Sequence, residues 1–117
     1  FTIEAWVKQD AGKTAGSKTI LSKRDNSALS SGGFDLIVEN NVPKFRWNGG
    51  EIASAHTIGT DRWYHLAVIV GGDNSGMYID GIKVAAGASE AATSISTPVI
   101  IGAAYNSTTT VPENYFH

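Results

Sequence analysis

The sequence predicts an all-β fold, an antiparallel two-sheet β-sandwich or jelly roll, and three observations carry that expectation. Short segments rich in β-branched and aromatic residues recur along the chain at fairly even spacing. The connections between them are rich in Gly, Ser, Asn, Asp and Thr, the residues that turns favour. No long segment keeps an apolar period of 3.6, so no amphipathic helix is expected.

Strands are expected at Thr2–Lys8, Thr19–Lys23, Phe34–Glu39, Lys44–Asn48 and Ala53–Ile58. Further strands are expected at Trp63–Val70, Met77–Ile79, Ile82–Ala86 and Val99–Gly102. Between Trp63 and Val84 the register can be cross-checked. With Gly71 to Gly76 as a loop, Val70 faces Met77, Ile69 faces Tyr78 and Val68 faces Ile79. Asp80-Gly81 signals a type I′ hairpin turn, which needs positive φ at both central residues. That turn sets Ile79 against Ile82, Tyr78 against Lys83 and Met77 against Val84.

Side chains alternate with period two. One face thus collects Leu66, Val68, Val70, Met77, Ile79, Ile82 and Val84. The other collects Trp63, His65, Ala67, Ile69, Tyr78 and Lys83, and is too apolar to be expected bare in water. A second hairpin, with Asn40 to Pro43 as its loop, pairs Glu39 with Lys44, Ile37 with Arg46 and Asp35 with Asn48. Its opposite face pairs Val38 with Phe45 and Leu36 with Trp47, which makes Trp47 a core residue. The stretches Ala85–Thr97 and Ser107–Thr110 read as polar surface connections. Asn106-Ser107-Thr108 is a glycosylation sequon, relevant only in a eukaryotic secretory pathway.

The 117 residues suit a single domain, 1–117, large enough for a two-layer core. Cysteine is absent, so no disulfide framework is available. A net charge of −2 with nine scattered Lys and Arg argues against nucleic-acid binding. No apolar run approaches the ~20 residues that span a bilayer, so no membrane insertion is expected. The chain opens on FTIEAWVK without a starting Met and is expected to be a piece of a longer multidomain protein.

The succession FTIEAWVK, TILSK, GFDLIVENN, KFRW, Trp63-Tyr64-His65-Leu66-Ala67, Tyr78-Ile79-Asp80-Gly81 and VIIGA resembles the laminin-G-like, concanavalin A-like jelly roll. The resemblance is to bacterial and phage modules of that superfamily, with pentraxins more distant. It runs from about Phe1 to Phe116. It implies non-catalytic binding of carbohydrate or surface protein, extracellular, at the cell surface or on a virion. Members of the family usually carry one strand before this opening strand and another after this last one. A sheet edge is therefore expected to be open, with strand or subunit pairing along it, or to be filled by chain outside this sequence.

The resemblance also implies calcium as a cofactor, held in rim loops. Calcium needs six to eight oxygen ligands. By position only Asp10 and Asn106 carry over as metal ligands. Ala103 and Ala104 stand where acids would complete a pentraxin-type site, and Asp and Asn are also ordinary turn residues. The expected ligand rim is Tyr105, Asn106 and Asp10. The second candidate is the polar face of Asp35, Lys44, Arg46 and Asn48. Trp6 shares a face with Thr2, Glu4 and Lys8, and is expected to snorkel or pack under a loop.

No enzyme is expected. Asp35 and Glu39 share a strand face but stand about 13 Å apart at ~3.3 Å per residue, against about 5–9.5 Å for glycosidase carboxyls. The glucanase pattern Glu-x-Asp-x-x-Glu is absent. His56 and His65 lack metal-binding spacing, and His65 is expected as a packed, hydrogen-bonded residue. The alternatives to a sugar-binding module are a structural protein–protein assembly module and an accessory domain of a glycosidase.

Overall fold

The computed structural model describes residues 1–26, 28–87, 95–105 and 112–117. Among these residues nine strands appear: β1 (Thr2–Lys8), β2 (Ser17–Lys23), β3 (Phe34–Glu39), β4 (Val42–Trp47), β5 (Gly50–Ala53), β6 (Trp63–Ile69), β7 (Gly76–Ile79), β8 (Ile82–Ala86) and β9 (Ile100–Ile101). They form two antiparallel sheets, one ordered β1-β6-β7-β8 and the other β5-β4-β3-β2-β9. No helix occurs among the described residues, so none there is long and apolar enough to cross a membrane. The predicted sandwich is therefore the observed fold.

Alternation places the core. Leu36, Val38 and Phe45 of one sheet meet Leu66, Val68 and Met77 of the other, all essentially buried. Each such side chain contributes roughly 1.5–3 kcal/mol by leaving water. Trp47 is half-buried and stacks on Phe45 at 5.7 Å, as its predicted inward face requires.

Both long hairpins keep their predicted faces but slide by two residues. Asn40 and Asn41 both take positive φ, 49° and 69°, so the turn is a two-residue one rather than a loop of four. Asp35 thus faces Arg46, not Asn48, and Leu36 faces Phe45, not Trp47. Likewise Val68 faces Met77 and Leu66 faces Ile79. Asp80 and Gly81 (φ 50° and 82°) form the expected turn, with Ile79 against Ile82 and Tyr78 against Lys83. Beyond them a β-bulge makes Ala85, not Val84, the partner of Met77. Gly76 permits it: at φ 146°, a Cβ there would lie 2.3 Å from the Ala85 carbonyl oxygen.

Two further expectations are corrected. The strand expected at Ala53–Ile58 is Gly50–Ala53, because only Asn48-Gly49 separates Trp47 from its partner Gly50. Residues 54–58 leave the ladder, and the buried Ile58 is held by its N–H donating to the Asn41 carbonyl at 2.9 Å. Ile82 lies on the predicted face yet is 70% exposed, since it opens the edge strand β8 directly after the Asp80-Gly81 turn.

One end of the sandwich is sealed by polar groups. Fully buried Gln9 donates through Nε2 to the Ile58 carbonyl at 3.2 Å and accepts from Lys18 Nζ at 3.2 Å. Burial lowers the Lys18 pKa, because desolvation disfavours its charged form.

Candidate functional site

The two sheets treat their outer faces differently. On the five-stranded sheet, Thr19 pairs with Ile37 and Ser22 with Asp35, and all four are fully buried. The bulge between Thr19 and Leu21 keeps Thr19 and Ser22 on one face while Ile20 joins the core. The Ser22 hydroxyl donates to the Ala103 carbonyl at 3.0 Å, so a loop segment lies over this face.

Asp35 sits between two guanidinium groups. Arg46 Nε donates to it at 2.8 Å, and buried Arg24 approaches at 3.5 Å. Arg24 also reaches Glu113 at 3.2 Å. Alongside, Lys44 bridges Glu39 at 2.7 Å and Glu51 at 3.4 Å. Hydrogen bonding to Glu39 raises the Lys44 pKa, and the same bond lowers that of Glu39. The hydrogen bond to Asp35 raises that of Arg46. In the second predicted site, Asp35, Lys44, Arg46 and Asn48, the Asp35 and Arg46 groups are therefore paired with each other and Lys44 with Glu39 and Glu51. Asp35 is closed off entirely, and Asn48 is exposed with an interaction of its own.

The first predicted site is only partly described. Asp10 is exposed just after β1; its N–H donates to the His117 carbonyl at 3.3 Å, and its carbonyl accepts the Lys13 N–H at 3.2 Å. That is turn geometry. Tyr105 is half-buried beside Ala104, whose backbone pairs with Glu113. Asn106 and the sequon lie outside the described residues. Among the described residues, no group of three His, Asp or Glu stands close enough to hold a metal ion.

The outer face of the four-stranded sheet is built otherwise. Register sets Trp6 against His65 and Lys8 against Trp63, so the four side chains occupy adjacent positions on one face. Trp6 is 66% exposed and Trp63 59% exposed. The expectation that Trp6 packs under a loop is therefore corrected. β1 is an edge strand, and its even-numbered residues point away from the core. No described strand covers this face, where a cover was expected.

The platform is nevertheless fixed. The His65 ring lies 5.2 Å from that of Trp6, and its Nε2 is 3.1 Å from Glu4 Oε2. The His65 N–H donates to the Asp80 carboxylate at 2.9 Å, which also accepts from Arg62 at 3.2 Å. His65 is thus packed and hydrogen-bonded as predicted, with the Asp80-Gly81 turn as its anchor. Next to it, Lys83 lies over the Tyr78 ring at 5.8 Å.

Trp6, Lys8 and Trp63 also border a groove of about 310 Å³ whose floor includes Ala5, Ile20 and Phe116. A bare indole surface next to fixed hydrogen-bonding groups suits a ligand with one apolar and one polar face. Sequence reasoning placed Trp6 on a strand face with Glu4 and Lys8, and Trp63 on another with His65, but neither joined the two faces nor chose them as the site. The usable signal was that each tryptophan shares its strand face with polar residues, Trp6 with Glu4 and Lys8 in β1 and Trp63 with His65 in β6.

Comparison with known proteins agrees with this architecture. No curated protein and no solved structure matches the chain. A family model, described as the concanavalin A-like lectin/glucanases superfamily, matches residues 1–116. With a match of that extent over an antiparallel two-sheet sandwich, the chain belongs to the concanavalin A-like lectin/glucanase superfamily, in its laminin-G-like branch.

Proposed function

We propose that this chain is a non-catalytic binding module that recognises carbohydrate through the outer face of its four-stranded sheet. The observation that carries the reading is the pair of exposed indoles, Trp6 and Trp63, on adjacent rigid strands. A pyranose ring presents an apolar C–H face that stacks on an indole, and its hydroxyls donate to carboxylates and accept from cationic groups alongside. Lys8, His65 and Glu4 supply those groups beside the two rings. Superfamily membership supports a binding or glycan-related module, and the site itself must carry the finer assignment.

The case against catalysis rests on the acids. Asp35 is committed to two arginines and Glu39 to Lys44. In this reading the module works outside the cell, at a cell surface or on a virion.

A glycan array probed with the wild-type chain, with and without calcium, tests the proposal. Binding to defined glycans that drops in both Trp6→Ala and Trp63→Ala supports it. Binding that survives both substitutions overturns the site, and calcium dependence would return attention to the loops around Asp10 and Tyr105. Absence of binding to any glycan would overturn sugar recognition itself.

A further inference from the structure

The turn between β4 and β5 carries a chemical inference beyond ligand binding. Asn48 and Gly49 alone join the two strands, and Trp47 pairs with Gly50 across them. Asn48, Gly49 and Gly50 are all exposed. Of the asparagines in the chain, only Asn48 is followed by glycine. Gly49 has no Cβ to shield its own backbone nitrogen. It lies outside both strands, and among the described residues its N–H meets no hydrogen-bond acceptor. The other described asparagines are placed differently. Asn26 Oδ1 accepts the Ala28 and Ser30 N–H groups at 3.0 and 3.3 Å, and Asn40 Oδ1 accepts that of Gly16 at 3.1 Å. Asn41 Oδ1 accepts from Gln9 Nε2 at 3.4 Å, and the branched Val42 follows it. After Asn74, the Ser75 N–H is tied to the Gly72 carbonyl at 3.1 Å, and after Asn114 comes the bulky Tyr115. The related Asp80-Gly81 turn is held as well, because the Asp80 carboxylate accepts from the His65 N–H and from Arg62.

We propose that Asn48 is a site of spontaneous covalent modification in the folded protein, deamidating through a succinimide to aspartate and isoaspartate. The Gly49 nitrogen gives up its proton and attacks Asn48 Cγ. The new N–Cγ bond closes a five-membered ring, the Cγ–Nδ2 bond breaks, and ammonia leaves with the proton. Water then opens the ring. Cleavage of the bond from nitrogen to Cγ gives aspartate with the original backbone. Cleavage of the bond from nitrogen to the main-chain carbonyl carbon routes the backbone through the side chain as isoaspartate. One water enters, one ammonia leaves, and nothing is oxidised or reduced. Both products add a negative charge one alternate position from Arg46, on the face where Arg46 already pairs with Asp35. Isoaspartate also lengthens by one carbon a turn whose two ends, Trp47 and Gly50, are fixed in the ladder.

Ageing the folded chain in mildly alkaline buffer, followed by peptide mass mapping and isoaspartate-specific methylation, tests this. The tryptic peptide 47–62 holds Asn48 as its only asparagine. It should gain the mass of an acid in place of an amide, sooner than any peptide holding another described asparagine, and it should accept methyl groups as isoaspartate. Gly49→Ala should slow the conversion roughly tenfold, because a Cβ then crowds the attacking nitrogen. Gly49 does not take positive φ, so the backbone accepts alanine there and circular dichroism should be unchanged. A folded chain whose position 48 remains an amide would overturn the proposal, and conversion of the urea-unfolded chain in parallel would show that the fold suppresses the reaction. A Gly49→Ala chain that converts at the wild-type rate would also overturn it, as would a second described asparagine that converts as fast.

Discussion

The outer faces of the two sheets start from the same local rule and end in opposite states. On the five-stranded sheet, alternating charges find partners one strand away, and loop backbone covers what remains. Asp35 and Ile37 are buried there although they point away from the core. On the four-stranded sheet, the same alternation presents Trp6 and Trp63 to solvent beside a small polar cluster. One face consumes its own polar groups in structure, and the other leaves apolar surface uncovered by any described strand. A charged patch in a sequence is therefore a poor guide to a site when its partners lie one strand over.

The sharpest way to break this contrast is at Asp35. Asp35→Ala leaves Arg24 buried without its central anion, and loss of one partner of a buried pair costs about 3–5 kcal/mol. Urea denaturation should show that loss in ΔG of unfolding; a change below 1 kcal/mol would mean that the ion pairs are incidental to the closed face. Gly76→Ala comes next. It forces a side chain into a φ that only glycine tolerates and against the Ala85 carbonyl, so a destabilisation of roughly 1–3 kcal/mol is expected by the same assay.

The exposed face should respond the other way. Trp6→Ala should change unfolding free energy by no more than about 0.5 kcal/mol, yet reduce glycan affinity about tenfold, or ~1.4 kcal/mol. Calorimetric titration against an array-selected sugar reads the second effect.

The smallest expected effect is at Glu39. Its folded-state pKa is lowered by Lys44, so its contribution is present above the unfolded value of ~4.3 and is lost as pH falls through the folded value. Glu39→Gln should flatten that part of the acid-side stability curve. The size should stay under about 1 kcal/mol, because the pair is partly solvated. An unchanged acid-side curve would mean that this pair contributes nothing.

Much of this was legible in the sequence, for one physical reason. Faces depend on parity alone, so both long hairpins kept the correct core residues even with their registers wrong by two. Exact pairing depends on turn chemistry. There Asn40-Asn41 is a weaker signal than Asp80-Gly81, and the bulge at Gly76 is invisible to alternation. The ion-pair set was illegible because Arg24 and Glu113 lie in connections outside the strands, and Glu113 is far along the chain from Asp35. Trp6 was misread because its same-face neighbours along the strand, Glu4 and Lys8, are polar, whereas its neighbours across the strand pair are His65 and, diagonally, Trp63. The loop pairing of Asp10 with Asn106 was drawn from family position, and Asn106 lies outside the described residues.

The account rests most heavily on which tryptophans meet the ligand, and the three indole N–H resonances separate that directly. Titrating a bound glycan into ¹⁵N-labelled protein should shift the signals of Trp6 and Trp63 and leave that of Trp47, whose Nε1 is buried, in place. Shifts confined to the Asp10 and Tyr105 loops or to the Arg46 and Asn48 strand, with all three indole signals unmoved, would contradict it.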